Sequence, residues 1–426
     1  MKETRVNYWA ISIYWLGLSI HWAAFLSIVM QVRVAEMVPE QVRGTYLFIL
    51  ASVGALISTV IELVAGPISD RCTSRWGRRR PFIVYGTLLT LPFILLFMTT
   101  QNFWVLVLHF VAIQLFLNWA NGPYQAVIPD YVPAHRHGLA SAYMGMMTLV
   151  GNLVGLALAG LTLSEPPILL RGYPFGTRLL IVGIVLAGGL LITMLWTVLE
   201  MKEPQWQPRT EDEKRVTLRQ MFDISMRDQP NFRWVVWSRF VFNMGFFTVL
   251  FFLEYYLRDT MGLKEQAPLY AFIVMVIATL AGVVGNWVAG VMADRTSKKR
   301  VLYYTAGLMG VGTVMFIFST NLSWVYLIAV LFGIAWGAFS AVDWALASNL
   351  VPIEESGRYM AIWHIAMTVP QVIAPAVGPI ADLLNQTYGM GVGWRWIFLA
   401  VPIYLVVAMW LLRHVRERVV SPISEQ

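Results

Sequence analysis

Residues 66–80 read GPISDRCTSRWGRRR, and residues 290–300 read GVMADRTSKKR. Gly66 aligns with Gly290, Asp70 with Asp294 and Arg71 with Arg295, so a glycine–acid–arginine pattern with a basic tail occurs twice. A second pair keeps nearly the same offset: PDYVPAHRHG at 129–138 and SNLVPIEESG at 348–357, which align Val132-Pro133 with Val351-Pro352 and Gly138 with Gly357. Each copy follows a long apolar run. The chain therefore reads as a tandem duplication of a helical unit.

Working outward, the 426 residues are 58% hydrophobic and only 13% charged. A soluble chain carries about a quarter charged residues, so this one cannot cover a water-facing surface. It is expected to be an integral membrane protein. A bilayer core needs about 20 apolar residues per helix, and twelve stretches qualify, near 8–32, 45–68, 81–99, 103–127, 138–163, 177–199, 232–256, 268–292, 301–319, 323–346, 359–384 and 395–413. The polar stretch 200–231 then reads as a linker between an N-terminal bundle at 1–199 and a C-terminal bundle at 232–426. Segments on the side of both termini hold 23 Lys and Arg against 7 on the opposite side. The positive-inside rule puts that basic side, with both termini, in the cytoplasm. The net charge of +7 is thus a topology signal and gives no reason to expect a nucleic-acid partner.

Other classes drop away. The single cysteine, Cys72, excludes an internal disulfide framework or a cysteine-based zinc cluster. The start MKETRVNYWA leads into an apolar run too long for a cleavable signal, so none is expected. No nucleophile–base pair, metal-ligand spacing or phosphate loop is legible, so an enzyme is not expected, nor any metal or cofactor. Parallel six-helix repeats are how one transporter architecture builds two bundles that rock about a midplane site. The expected fold is all-α: twelve transmembrane helices in two pseudo-symmetric six-helix bundles.

These features resemble the major facilitator superfamily. More narrowly, SDRCTSRWGRRRPFI resembles the corresponding loop of the plant sucrose–proton symporters and their animal and bacterial relatives, a glycoside-transporting group; Trp76 stands where plant members carry Phe. NGPYQAVIPD at 121–130, VGNLVG at 150–155, and VPQ with GPIAD within 369–382 extend the likeness across both halves. It implies a bacterial member in the inner (plasma) membrane, working as a monomer with a small sugar as substrate, protons as the coupling ion and lipid around it. In that family the acid matching Asp130 is the leading proton carrier. Glu254, Arg258 and Asp259 match an essential charged trio at the outer end of helix 7, read alternatively as an external gate salt bridge. Glu62 replaces a Gln of the plant members, Asp343 a Pro and Gln125 an Arg, which rebuilds the charge of the cavity.

Intramembrane ionisable residues are costly and are functional hypotheses by default. Asp130, Glu62, Glu254 and Asp343 are the proton-coupling candidates; for Asp130 the alternative is a hydrated helix-end carboxylate. At the helical period, Arg239, Asn243 and Glu254 share one face of the seventh helix, while Gln114, Asn118, Asn121 and Gln125 line the fourth and His364, Thr368 and Gln371 the eleventh. Such faces serve either a watered cavity or interhelical hydrogen bonds. Sugars stack on aromatics and bond to amides or charged groups. Trp22, His21, Asn118, Asn121, Gln125, Asn152, Arg239, Asn243, Trp344, His364 and Gln371 are accordingly the substrate-binding candidates. Asp70, Arg71, Arg75, Arg78, Asp294 and Arg295, with Arg258 and Asp259 at the other end, are gating candidates, since charge pairs at helix ends can close one state and release another. Function is expected to be proton-driven sugar symport by alternating access, with a proton-driven exporter or a non-transporting sensor as alternatives.

Overall fold

The computed structural model describes residues 7–70, 72–132, 136–201, 229–348 and 356–416. Arg71 and most of the 200–231 stretch lie outside the described residues, as do the side chains of Asp294, Trp344 and His364. Among the described residues, twelve helices are long and apolar enough to cross a membrane: Tyr8–Met37, Glu40–Asp70, Arg80–Thr99, Phe103–Gln125, Leu139–Leu163, Phe175–Glu200, Pro230–Thr260, Lys264–Ala293, Lys298–Phe318, Leu322–Asp343, Ile365–Tyr388 and Val392–Leu412, hereafter spans 1 to 12. No strand occurs among the described residues. A helix satisfies its backbone within one segment, which hydrocarbon surroundings demand.

Local chemistry sets the span ends. Asn102 accepts from the amides of Trp104 and Val105, and Ser297 accepts from that of Arg300, each supplying a partner to an otherwise orphaned N-terminal donor. Span 4 carries Pro123 two residues before its end at Gln125; the chain turns at Ala126 and resumes as a short helix, Val127–Tyr131, which carries Asp130. Spans 1 and 7 each widen into a π-turn near the end away from the chain termini, at Phe25–Val29 and Tyr256–Thr260.

Contacts group the chain into two compact units: Met1–Val216 with Phe251–Phe272, and Thr217–Leu250 with Ile273–Gln426. The far end of span 7 thus packs in the first unit. There span 1 lies against spans 5 and 6, and span 4 against spans 2 and 3. Span 5 approaches span 1 so closely that a Cβ on Gly155 would stand 2.2 Å from the Ile20 carbonyl oxygen. In the second unit span 9 packs on spans 10 and 12. Span 8 meets span 10 with Gly337 so near Gly282 that a Cβ would lie 1.9 Å from its carbonyl oxygen. Small residues allow such backbone approach where lipid supplies no hydrophobic drive between helices.

Candidate functional site

In the second unit, span 7 presents Arg239 and Asn243 one helical turn apart, as their spacing predicts. Arg239 pairs with Asp343 at the end of span 10, and its guanidinium carbon stands 4.2 Å from the Trp363 ring centroid. Asp343 is 2% exposed and Trp363 1%. The Asn243 side-chain amide donates to the Ala366 carbonyl at 3.0 Å. Three polar atoms in this cluster are buried without a partner: Arg239 Nε, Asn243 Oδ1 and Trp363 Nε1. Buried polar atoms are nearly always satisfied, so two donors and one acceptor left open set this cluster apart. Gln371 lies one turn beyond Met367, whose carbonyl it meets at 3.5 Å.

The first unit holds a second polar cluster. Glu62 on span 2 accepts from Asn121 at 3.0 Å and from Gln125 at 3.4 Å, both on span 4. The rest of the predicted polar face of span 4 turns inward: Asn118 donates to the backbone and side-chain oxygens of Gln114, and both are buried. His21 is fully enclosed, stacked on Phe25 and edge-on to Trp22, with neither ring nitrogen bonded. Trp22 and Asn152 are half-buried.

Asp130 lies among the gating candidates. It pairs with Arg78 at 2.6 Å and with Arg79 at 2.9 Å; Arg79 also holds Asp70 at 2.5 Å and bonds to Ser69. Arg79, 3% exposed, is thus the hub of a cluster joining span 2, the basic loop and the short helix after span 4. Partial burial works against charge on Arg78, yet the neighbouring Asp130 carboxylate, with Asp70 behind it, holds its pKa above the ordinary arginine value. Arg75 and Arg295 are exposed.

At the far end of the first unit, Arg258 donates twice to Glu254, at 2.8 and 3.0 Å, and Asp259 stands 3.5 Å from Arg43. Glu254 is fully buried and its second oxygen is unpartnered. Gln31 on span 1 donates to the Phe251 carbonyl and its own carbonyl accepts from the Tyr255 hydroxyl. The four candidates predicted to share roles therefore separate into different settings: Glu62 among amides, Asp343 with one arginine against an aromatic ring, Asp130 in a basic cluster and Glu254 with its own i+4 arginine. Sequence reasoning did not single out Arg79, Arg43 or Gln31 as site residues. Arg79 is one of three consecutive arginines, and only the fold distinguishes it.

Twelve spans with charges buried inside them and ion clusters at their ends are the build of a membrane transporter. The chain belongs to the Major Facilitator Superfamily, whose family model matches residues 12–375. It is similar to an MFS-type transporter of Mycobacterium tuberculosis (31% identical over 130 residues, 30% of this chain and 18% of that protein) and to the sucrose transport protein SUC4 of Arabidopsis thaliana (29% over 122 residues, 24% of each). A longer match is to the general alpha-glucoside permease of Schizosaccharomyces pombe, 25% identical over 270 residues, covering 58% of this chain and 47% of the permease. The chain thus spans less than half the length of each of these relatives. In fold it is similar to the crystal structure of nucleoside transporter NupG, with a TM-score of 0.71 at 13% identity, covering 96% of this chain and 99% of that one.

Proposed function

We propose that this facilitator is a proton-coupled symporter of a disaccharide or glycoside, working by alternating access. Sugar as substrate class draws on the likeness to a sucrose transport protein and an alpha-glucoside permease. The observation that carries the reading is the cluster of Arg239, Asp343, Asn243 and Trp363. It combines an aromatic face, an amide, unsatisfied donors and an acceptor with one ion pair between spans 7 and 10. A polyol loses many water hydrogen bonds on leaving solvent, and open polar atoms next to a ring replace them.

Asp343 is the proton carrier in this reading. Its carboxylate is neutralised either by Arg239 or by a proton; taking the proton releases the guanidinium to bond substrate hydroxyls, which ties proton and sugar binding together. Glu62 with Asn121 and Gln125 supplies acceptors and donors for a further set of hydroxyls. Asp130, Asp70, Arg78 and Arg79 form a gate on the side of the termini, and Glu254, Arg258, Asp259 and Arg43 form one at the other end. Both termini face the cytoplasm across a bacterial inner membrane, and the monomer is the working unit.

The test is uptake of radiolabelled sucrose, maltose and trehalose into proteoliposomes under an inward proton gradient, with Asp343→Asn and Asp130→Asn beside the wild type. Accumulation abolished by a protonophore and by Asp343→Asn, but surviving Asp130→Asn, is expected. Accumulation that survives Asp343→Asn moves the proton elsewhere, and gradient-driven efflux in place of uptake makes the protein an exporter.

A further inference from the structure

At the end of the second unit that carries the C-terminus, three span ends converge. Asn231, just inside the start of span 7, exchanges hydrogen bonds with Arg416 in both directions, its Nδ2 donating to the Arg416 carbonyl at 3.1 Å and its Oδ1 accepting from the Arg416 amide at 3.0 Å. Lys299, at the start of span 9, donates to the carbonyls of Arg413 and Val415 at 2.6 and 2.9 Å, so it neutralises the open C-terminal end of span 12. The segment after span 12 is therefore fixed against two helix N-termini, which carry positive dipole ends.

On this platform two arginines stand over tryptophan rings. His414 stacks on Trp234 at 4.6 Å and meets Trp410 edge-on at 5.2 Å; Arg233 sits 5.3 Å over Trp234 and Arg413 5.2 Å over Trp410. Arg413 and Arg416 are exposed, and Trp410 is 50% exposed. Among the described residues, Arg233, Arg413 and Arg416 have no carboxylate partner, whereas Arg78, Arg79, Arg239 and Arg258 all do. Three guanidinium groups without a carboxylate partner among the described residues, at the end of a span and flanked by tryptophans of the kind that sit at headgroup level, match one chemistry. Guanidinium forks bind phosphate oxygens in pairs, and the exposed ring of Trp410 favours a phosphate attached to an acyl chain over one free in water.

We propose that Arg233, Arg413 and Arg416, with Trp234 and Trp410, form a binding site for the phosphate headgroup of an anionic phospholipid. This site is separate from the Arg239 cluster and independent of which solute is carried.

The test uses the purified full chain, delipidated in detergent and offered phosphatidylglycerol and phosphatidylcholine together, with bound lipid read by native mass spectrometry. Wild type is expected to retain phosphatidylglycerol preferentially. The triple variant R233Q/R413Q/R416Q is expected to lose that preference, at about fivefold per arginine. Arg171→Gln, an exposed arginine at the opposite end of the spans, is expected to leave it unchanged. Should the triple variant fail to fold, Arg413→Gln alone carries a fivefold step, since Arg413 is exposed and its guanidinium lies over the Trp410 ring. Equal retention of the two lipids by wild type overturns the proposal, as does an undiminished preference in the variants. Displacement of phosphatidylglycerol by millimolar inorganic phosphate overturns it too, because the site would then be one for free anions.

Discussion

The guanidinium of Arg239 is held between the Asp343 carboxylate and the face of Trp363, so one buried cation satisfies an ion pair and a cation–π contact at once. Neither member of the Arg239–Asp343 pair can be removed without stranding the other's charge. Removing one member of a buried pair costs about 3–5 kcal/mol, while replacing both is often nearly neutral. Asp343→Asn and Arg239→Gln are each expected to lower the thermal unfolding temperature in detergent. The double variant R239Q/D343N is expected to recover most of the loss. Losses that simply add would mean that the two side chains do not depend on each other.

Trp363 Nε1 is buried without a partner, so taking it away breaks no bond in the unliganded protein. Trp363→Phe keeps a ring under Arg239 but leaves a cavity where the buried indole stood, and is expected to lower the unfolding temperature modestly. If that N–H serves a substrate hydroxyl, sugar affinity falls by the worth of one hydrogen bond, about 0.5–1.5 kcal/mol or roughly two- to twelvefold. Transport kinetics would show this as a raised KM with little change in maximal rate.

Arg79 joins Asp70 to Asp130, and Cys72 lies two residues beyond Asp70 in the same loop. Arg79→Gln severs both links, whereas Asp130→Asn spares the one to Asp70. Maleimide labelling of Cys72, the sole cysteine, is therefore expected to accelerate several-fold in Arg79→Gln and less in Asp130→Asn. Equal rates in all three proteins would remove the cluster from any gating role.

The pKa of Arg78 is raised in the folded protein by its pairing with Asp130. A group whose folded pKa is raised contributes its full stabilisation below the unfolded value and loses it only as pH climbs through the folded value. The Arg78 contribution is therefore constant across neutral pH. The ratio of Cys72 labelling rates between Arg78→Gln and wild type is expected to stay flat between about pH 6 and 8.

Gly337→Ala places a methyl group against the Gly282 carbonyl, and span 10 cannot yield without moving its backbone. Overpacking of this kind costs about 1–3 kcal/mol. A drop in unfolding temperature is expected, with a matching drop for Gly155→Ala where span 5 crosses span 1. No change in either would mean that these crossings are looser than the backbone distances imply.

Hydropathy made all twelve spans legible, because a run of apolar residues in lipid has one backbone solution. It shortened several of them. Span 1 runs to Met37 instead of 32 and span 2 begins at Glu40 instead of 45, since those ends carry Arg33, Glu36 and Arg43, charges that hydropathy counts as loop. In the fold these arginines are buried against acids and carbonyls: Arg33 pairs with Glu36 at 2.5 Å, and Arg43 with Asp259. Helical periodicity placed Arg239 and Asn243 on one face. It could not pair Arg239 with Asp343, 104 residues away. It left Gln114 and Asn118 open between a watered cavity and interhelical bonds, whereas in the fold Asn118 donates to Gln114 one turn back on the same helix. Asp130 escaped the period altogether because the chain turns at Ala126 and starts a new short helix.

The π-turns in spans 1 and 7 give this last point a wider reach. Each packs one residue more into a turn than an α-helix does. Annealing a π-turn back to α-geometry would therefore rotate everything beyond it by about 100°, the angle of a single residue. Gln31 and Arg33 lie just past the turn in span 1, and Arg258 and Asp259 lie within the one in span 7. One residue of slack on each helix lets the far ends re-aim these side chains by screw motion, while the rest of each span keeps its helical phase.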